Sequence, residues 1–337
     1  VVFEAFAYIG LAIFLVTSGY GAEEILLSML GVRALILLVA IEFARRDVSF
    51  ASPSPKRLQE YLAFSLPLAV VGVFAWITGL SDRYIVGFFH GASMVSGYHV
   101  AYTLGMTCTL LFAPAFMILT PTLVSLWEAR EIESLRGHLR HTVRYALALT
   151  IPAVAGLTVL AEPLVELIST SSHFIGQATV GIIAAGLLLW MLAAVSETVI
   201  GIRKQTRSIA VVYGGATVIN IGLNFALIPH FLTVGAACAT FASYLFMLFS
   251  MDRKARRLGL GVPLDWLFIL KCLLASAVMA LAASYPEVKN LLDLSVTIVA
   301  SVGTYCLLLI LLRTFSKAEF SFWRGLFFGR IGRNQPS

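Results

Sequence analysis

The sequence predicts an all-α, polytopic integral membrane bundle of about ten transmembrane helices, and three observations carry that prediction. The 337 residues are 59% hydrophobic, against roughly 45–50% in soluble domains. Charged residues make up 12%, about half the usual share, and the mean hydropathy is +0.90. Long apolar runs recur along the chain, and the short loops between them alternate between basic and non-basic. A soluble globule of this size must still cover itself with polar groups. Soluble enzymes, disordered chains and disulfide scaffolds are therefore excluded.

A hydrocarbon core of roughly 30 Å asks for about 20 apolar residues in a helix. That length places helices near 3–19, 24–43, 61–80, 97–120, 142–161, 177–200, 208–228, 233–251, 265–284 and 291–312. The second and third are separated by Arg45, Arg46, Lys56 and Arg57, the fourth and fifth by Arg130, Arg136, Arg140 and Arg144. Arg203, Lys204 and Arg207 follow the sixth, and Arg253, Lys254, Arg256 and Arg257 follow the eighth. Arg313, Lys317, Arg324, Arg330 and Arg333 follow the tenth, so that 20 of the 24 basic residues fall on one side. The positive-inside rule puts that side and both termini in the cytoplasm, which makes the expected location the cytoplasmic (inner) membrane. Glu23, Glu24, Glu162 and Glu166 mark the outer loops. The first apolar run follows Glu4 rather than a basic segment, so no signal-peptide pattern is present. The net charge of +6 thus reports topology, and no nucleic-acid partner is expected.

Two stretches are expected to lie on the bilayer surface. In 121–144, Leu123, Trp127, Ile132, Leu135, Leu139 and Val143 recur at helical spacing among charges. In the tail, Phe315, Phe320, Phe322, Trp323, Phe327, Phe328 and Ile331 alternate with Lys317, Arg324, Arg330 and Arg333. Pro67, Pro114 and Pro152 fall within spans and permit bending. Gly235, Ala239 and Ser243, four apart, form a smooth helix face suited to close packing. Cys108, Cys238, Cys272 and Cys306 sit far apart in apolar runs, without metal-ligand spacing. His138 and His141 read as surface residues of a basic loop. No metal or cofactor is expected.

Polar residues inside spans are costly in lipid and mark candidate function. Arg33 lies near the middle of the second span, too deep to reach water easily. Arg83 lies where the third span meets the outer surface, beside Asp82. Asn220 and Asn224 are one turn apart on one helix face, and Glu197 lies about one turn from the cytoplasmic end of the sixth span. Asp82 and Glu197 are the carboxylates nearest to an ion-coupling position. No nucleotide-binding loop, nucleophile elbow or paired-carboxylate motif occurs in a context that supports it, so no enzyme activity is expected.

Five segments carry a resemblance to a known family. Phe64-Ser65-Leu66-Pro67-Leu68 precedes Leu80-Ser81-Asp82-Arg83-Tyr84-Ile85-Val86-Gly87-Phe88-Phe89, and Val95-Ser96-Gly97-Tyr98-His99-Val100-Ala101-Tyr102 follows. Later come Asn220-Ile221-Gly222-Leu223-Asn224-Phe225-Ala226-Leu227-Ile228-Pro229 and Val234-Gly235-Ala236-Ala237-Cys238-Ala239-Thr240. These resemble the polysaccharide-unit flippases of the multidrug/oligosaccharidyl-lipid/polysaccharide (MOP) exporter superfamily, with "lP", "sDRyilg", "vg.Y..ay" and "N..ln..lip..G..GAa.at" in the same order. The resemblance implies a MATE/MOP-like bundle with an incomplete N-terminal lobe. In that plan 1–43 holds the last two helices of the first lobe, and 44–60 is a cytoplasmic linker. Residues 61–251 form a complete six-helix C-terminal lobe, 252–312 two extra helices and 313–337 a basic-aromatic tail. The first lobe's first four helices have no counterpart.

The resemblance further implies a transporter that flips undecaprenyl-diphosphate-linked oligosaccharide by alternating access, for surface polysaccharide such as O-antigen or lipopolysaccharide. Implied partners are the bilayer, the lipid-linked oligosaccharide and polysaccharide polymerase or assembly proteins. Residue chemistry suggests Arg33 and Arg83 for the diphosphate, whose oxygens suit a guanidinium fork. It suggests Asn220 and Asn224 for sugar hydroxyls, with Asp82 beside Arg83 in the same site. The alternatives are a cation-coupled drug antiporter of the same superfamily, a membrane polymerase or ligase, or a truncated inactive product. An antiporter would want a central membrane carboxylate, and a polymerase a large outer loop.

Overall fold

The computed structural model describes residues 2–47, 54–168 and 176–315, and among these every regular element is an α-helix. In chain order they are α1 (Val2–Thr17), α2 (Ala22–Asp47), α3 (Pro55–His90), α4 (Ala92–Leu110) and α5 (Ala113–Glu128). Then follow α6 (Ile132–Ile168), α7 (Gln177–Ile202), α8 (Thr206–Arg257), α9 (Trp266–Ala283) and α10 (Leu291–Leu311). Seven of the described helices are long and apolar enough to cross a membrane, and the bent pair α4–α5 makes an eighth. The protein is a multi-pass membrane bundle. The chain divides into two compact units, Val1–Glu60 and Tyr61–Ser337.

In the first unit α1 packs on α2. Helix α1 has 16 residues and coincides, within a few residues, with the run expected at 3–19. Arg33 on α2 is exposed within this unit, and its Nε donates to Tyr8 Oη at 3.1 Å.

In the second unit the predicted spans change at their ends and breaks. The helix expected at 61–80 runs on to His90, so the "sDRyilg" segment is helical and Asp82–Arg83 lies two turns inside α3 rather than at its end. One residue, Gly91 at φ 81°, joins α3 to α4; that left-handed conformation is why a glycine stands there. The fourth span, expected unbroken at 97–120, bends by 48° between α4 and α5. Pro114 stands in the first turn of α5, where a missing N–H costs little but the preceding helix cannot continue through it.

The 52 residues of α8 contain a break at Leu232, whose φ of 55° and ψ of −133° are non-helical. Pro229 lies just before it. The two arms, 206–231 and 233–257, fold back on each other. Asn220 Nδ2 donates to Thr240 Oγ1 at 3.4 Å, and the Phe246 ring lies against Gly215. A Cβ on Gly235 would stand 2.6 Å from Leu227 O. Partners that sum to a nearly constant residue number define an antiparallel hairpin. Each arm is about 38 Å long at 1.5 Å per residue, enough to cross once, as the separate runs at 208–228 and 233–251 anticipate.

The segment 121–144 does not form a lipid-facing surface helix. Its first part completes α5 and its remainder opens α6. Leu123, Leu135, Leu139 and Val143 are all at most 1% exposed and belong to the protein core. The amphipathic pattern is correct, but protein rather than lipid covers the apolar stripe. Charged residues at this end bind helix termini instead. Arg203 lies 4.1 Å over the Trp127 ring and donates to Leu258 O at 3.1 Å; Arg136 donates to Gly259 O at 3.3 Å.

Helices α9 and α10 pack on each other and on α6. Tyr305 Oη donates to Ala148 O at 2.8 Å. Lys271, a cation within a span, reaches Arg313 O at 3.4 Å, and Arg144 reaches Thr314 O at 2.7 Å. Both cations thus meet the carbonyl end of α10, where the helix dipole favours them. Of the expected aromatic tail, Phe315 packs near Phe268, ring centroids 5.9 Å apart, and 316–337 lies outside the described residues.

The N-terminus of α9 is capped by Asp265, whose Oδ1 accepts from Phe268 N at 3.1 Å. Replacing Asp265 with alanine should cost about 1 kcal/mol. Reversible unfolding in mixed micelles, compared with wild type, checks this.

Candidate functional site

The site is built on one stripe of α3. Leu68, Ala75, Gly79 and Arg83 recur at spacings of seven and four, which puts them on one helix face. The stretch from Leu68 to Arg83 is about 22 Å long at 1.5 Å per residue. Two cavities lie along it. One, of about 190 Å³, is lined by Ala75, Thr78, Gly79, Tyr102, Trp190 and Tyr244, among others. The other, of about 490 Å³, is lined by Leu68, Phe116, Thr120, Trp190, Glu197 and Tyr213, among others. Trp190 and Tyr213 line both, so the two cavities are neighbours.

Arg83 and Asp82 close one end of this track. Asp82 is fully buried. It accepts from Tyr98 Oη at 2.6 Å and from the Arg83 backbone N–H at 2.8 Å. Arg83 Nη1 lies 3.6 Å from the same carboxylate and donates to Gly79 O. The guanidinium stacks 4.4 Å over the Tyr102 ring, a cation–π contact strengthened by desolvation. Its side chain is 16% exposed, and Nε has no hydrogen-bond partner among the described residues. A guanidinium offers five donors, so Arg83 retains donor capacity beyond its protein contacts. Tyr98 and Tyr102 lie one turn apart on α4, which is why both reach the pair on α3.

Asn220 and Asn224 are fully buried on the first arm of α8. Asn220 Oδ1 accepts from Ser81 Oγ at 2.8 Å and from Asn224 Nδ2 at 3.0 Å. One turn earlier, Thr217 and Thr78 share a hydrogen bond of 2.8 Å. This polar ladder fastens α3 to the first arm of the hairpin, and Asn220 ties that arm to the second, immediately beside Asp82. Asn224 Oδ1 has no partner among the described residues.

Glu197 lies at the other end of the track, half-buried on α7, and accepts from Tyr213 Oη at 2.9 Å. Of the residues singled out in the sequence, the fold thus sets Asp82 and Arg83 beside Asn220, and Glu197 farther along the same stripe. Arg33 belongs to the other compact unit. Sequence reading passed over Trp190, Tyr213 and Tyr244 altogether. Their signal was present: tryptophan and tyrosine favour membrane interfaces, so their occurrence well inside a span marks a polar interior.

Residues 2–175, just over half of the chain, match the family described as polysaccharide biosynthesis protein. The chain belongs to that family. Among its curated relatives is the probable low-salt glycan biosynthesis flippase Agl15 of Haloferax volcanii. It is 26% identical over 242 residues, which are 70% of this chain and 50% of the relative. The probable flippase AglR of the same organism is 24% identical over 71% of this chain and 48% of its own length. The probable lipid II flippase MurJ of Rhizobium meliloti is 26% identical over 74% of this chain and 48% of its own length. The chain therefore spans about half the length of the curated relatives it matches. A solved structure of the lipid II flippase MurJ, in an inward closed conformation, superposes with a TM-score of 0.65 at 16% identity. It covers 96% of this chain and 66% of the MurJ chain. That likeness supports the bundle fold read from composition, and the family assignment agrees with the resemblance read from the motifs.

Proposed function

We propose that the chain works as part of a flippase that carries a lipid-linked oligosaccharide across the cytoplasmic membrane by alternating access, for surface polysaccharide biosynthesis. The observation that carries this reading is Arg83, a cation held inside an apolar bundle at the head of a partly polar track. A diphosphate-linked sugar needs a wet, cationic path, while its prenyl tail can stay in lipid. The family's description and the flippase names of the relatives point the same way, and away from drug antiport. The Arg-rich end of the bundle is the cytoplasmic one in this proposal, with residues 61–251 as one lobe and 252–312 as an appended helix pair.

The geometry refines the roles suggested by residue type. Arg83 holds phosphate, and Asp82 positions it. Asn220 and Asn224 act through Ser81 as a brace that fixes the register of α3. Arg33 stays a phosphate candidate by its residue chemistry alone. A transporter of this kind does no covalent chemistry, so the energy comes from an ion gradient or the membrane potential.

The test is Arg83→Ala at the native locus. Loss of one charged hydrogen-bond donor from a bound phosphate costs about 1.5–3 kcal/mol, or tenfold and more. Because Arg83→Ala also leaves the fully buried Asp82 without its cation and lowers the amount of protein, surface glycan, measured by lectin binding, is normalised to the protein in the membrane, and that ratio should fall accordingly. An undiminished ratio would remove Arg83 from the mechanism.

A further inference from the structure

The larger cavity holds a combination that the phosphate-binding role leaves unused. Its polar groups are a carboxylate, a tyrosine and two threonines, Thr120 and Thr198, set among apolar side chains. At about 490 Å³ it falls within the roughly 300–1,000 Å³ of small-molecule sites. Among the described residues no cation forms an ion pair with Glu197, and Tyr213 is its hydrogen-bond donor.

These features select a class of ligand. A carboxylate offers about four acceptor sites, so Glu197 has most of its accepting capacity left for the cavity. Phosphate is excluded next to it, because two anions in a low-dielectric site repel. An apolar acyl chain is excluded as well, since it would leave the carboxylate desolvated and unpaired. A neutral polyol meets both conditions. Vicinal hydroxyls donate to a carboxylate, and the threonine hydroxyls accept or donate in turn. The C–H face of a pyranose packs on an aromatic plane, and Trp190, half-buried and common to both cavities, supplies one. Trp190 is steadied by Tyr244, ring centroids 6.4 Å apart. The charge order along the α3 stripe is also appropriate, with the guanidinium of Arg83 at one end and the carboxylate of Glu197 at the other.

The geometry points to a sugar subsite in the 490 Å³ cavity, in which Trp190 stacks on a pyranose ring and Glu197, oriented by Tyr213, accepts from its hydroxyls. This rests on the flippase reading and deepens it: Arg83 takes the phosphate and the Glu197 end takes the glycan. Selection at this end is then for the sugar, and discrimination against a bare polyprenyl carrier arises here. Such a site rejects a ligand lacking the hydroxyls because its own polar groups would be left unpaired.

The test uses the full-length product containing this chain, purified in nanodiscs, and two probes. One is lipid-linked oligosaccharide extracted from the source organism's own membranes, and the other is sugar-free undecaprenyl diphosphate. Affinities are measured by microscale thermophoresis for wild type, Trp190→Ala and Glu197→Gln. The second variant is nearly isosteric and guards against a Trp190→Ala protein that fails to fold. Each variant should weaken binding of the glycosylated lipid about tenfold, the loss of one or two good polar contacts, and leave the sugar-free lipid unchanged. Equal affinities of wild type for the two lipids, or equal weakening of both by Glu197→Gln, would overturn the sugar subsite and leave the flippase reading standing. If wild type binds neither lipid, the flippase reading falls and the subsite with it.

Discussion

Replacing Asp82 with alanine should cost about 3 kcal/mol of stability and remove most of the protein from the membrane. Asp82 is fully buried and is the common acceptor of Tyr98 Oη, at 2.6 Å, and the Arg83 backbone, at 2.8 Å. Its deletion strands the guanidinium of Arg83, 3.6 Å away, without its counter-charge and the phenol of Tyr98 without its acceptor. Breaking a buried ion pair from one side typically costs about 3–5 kcal/mol; the 16% exposure of Arg83 places the effect at the lower end. Tyr98→Phe removes one hydrogen bond and leaves Asp82 its other partners, so a loss of about 1–2 kcal/mol is expected. Unfolding in mixed micelles and immunoblots of membranes read both. Near-normal stability of Asp82→Ala would mean that the pair does not organise α3 against α4.

The second large effect is expected at Gly235. A Cβ there would stand 2.6 Å from Leu227 O and 2.7 Å from Leu227 C. Both are backbone atoms of the opposing arm, so no side-chain rotation relieves the clash. Gly235→Val should therefore open the α8 hairpin at its tightest point and cost about 3 kcal/mol, the upper range for overpacking. Gly222, on the first arm, has nothing within 4 Å of its would-be Cβ. Gly222→Ala should be neutral or stabilising by up to about 1 kcal/mol, from helix propensity alone. Opposite signs at two glycines of one hairpin separate packing from propensity; a tolerated Gly235→Val would mean that the arms are not in contact there.

Much of the fold was legible in the sequence because a bilayer acts on each segment by itself. Twenty apolar residues between charged loops read as a helix whatever the neighbours, and this holds for α7, α9 and α10. It holds for the two arms of α8 too, where hydropathy separated at 229–232 what the helical backbone almost joins. The failures have one cause. In 121–144 the pattern showed an apolar stripe facing an apolar environment, but lipid and protein interior are alike on that measure, and Leu135 and Leu139 found protein. Lys271 falls within a span, and the carbonyl that receives it lies 42 residues away, at Arg313, which no local pattern reveals.

The candidate site was legible only in part. Asp82, Arg83, Asn220, Asn224 and Glu197 stood out because each is a polar group in an apolar run, costly unless satisfied. What satisfies each was not readable. Ser81 meets Asn220 across 139 residues, and Tyr213 meets Glu197 across 16. The aromatic residues between the two ends are apolar enough to pass as packing. The sequence alone determined the membrane class, the placement of the spans and the concentration of basic charge on alternate loops, since each is set by the solvent that a segment meets locally. The tertiary structure alone decided which polar groups pair, that asparagines brace α3, and that an arginine and a glutamate end up along one stripe. Partner choice is a property of helix faces brought together from distant parts of the chain, and composition records only that a partner is needed.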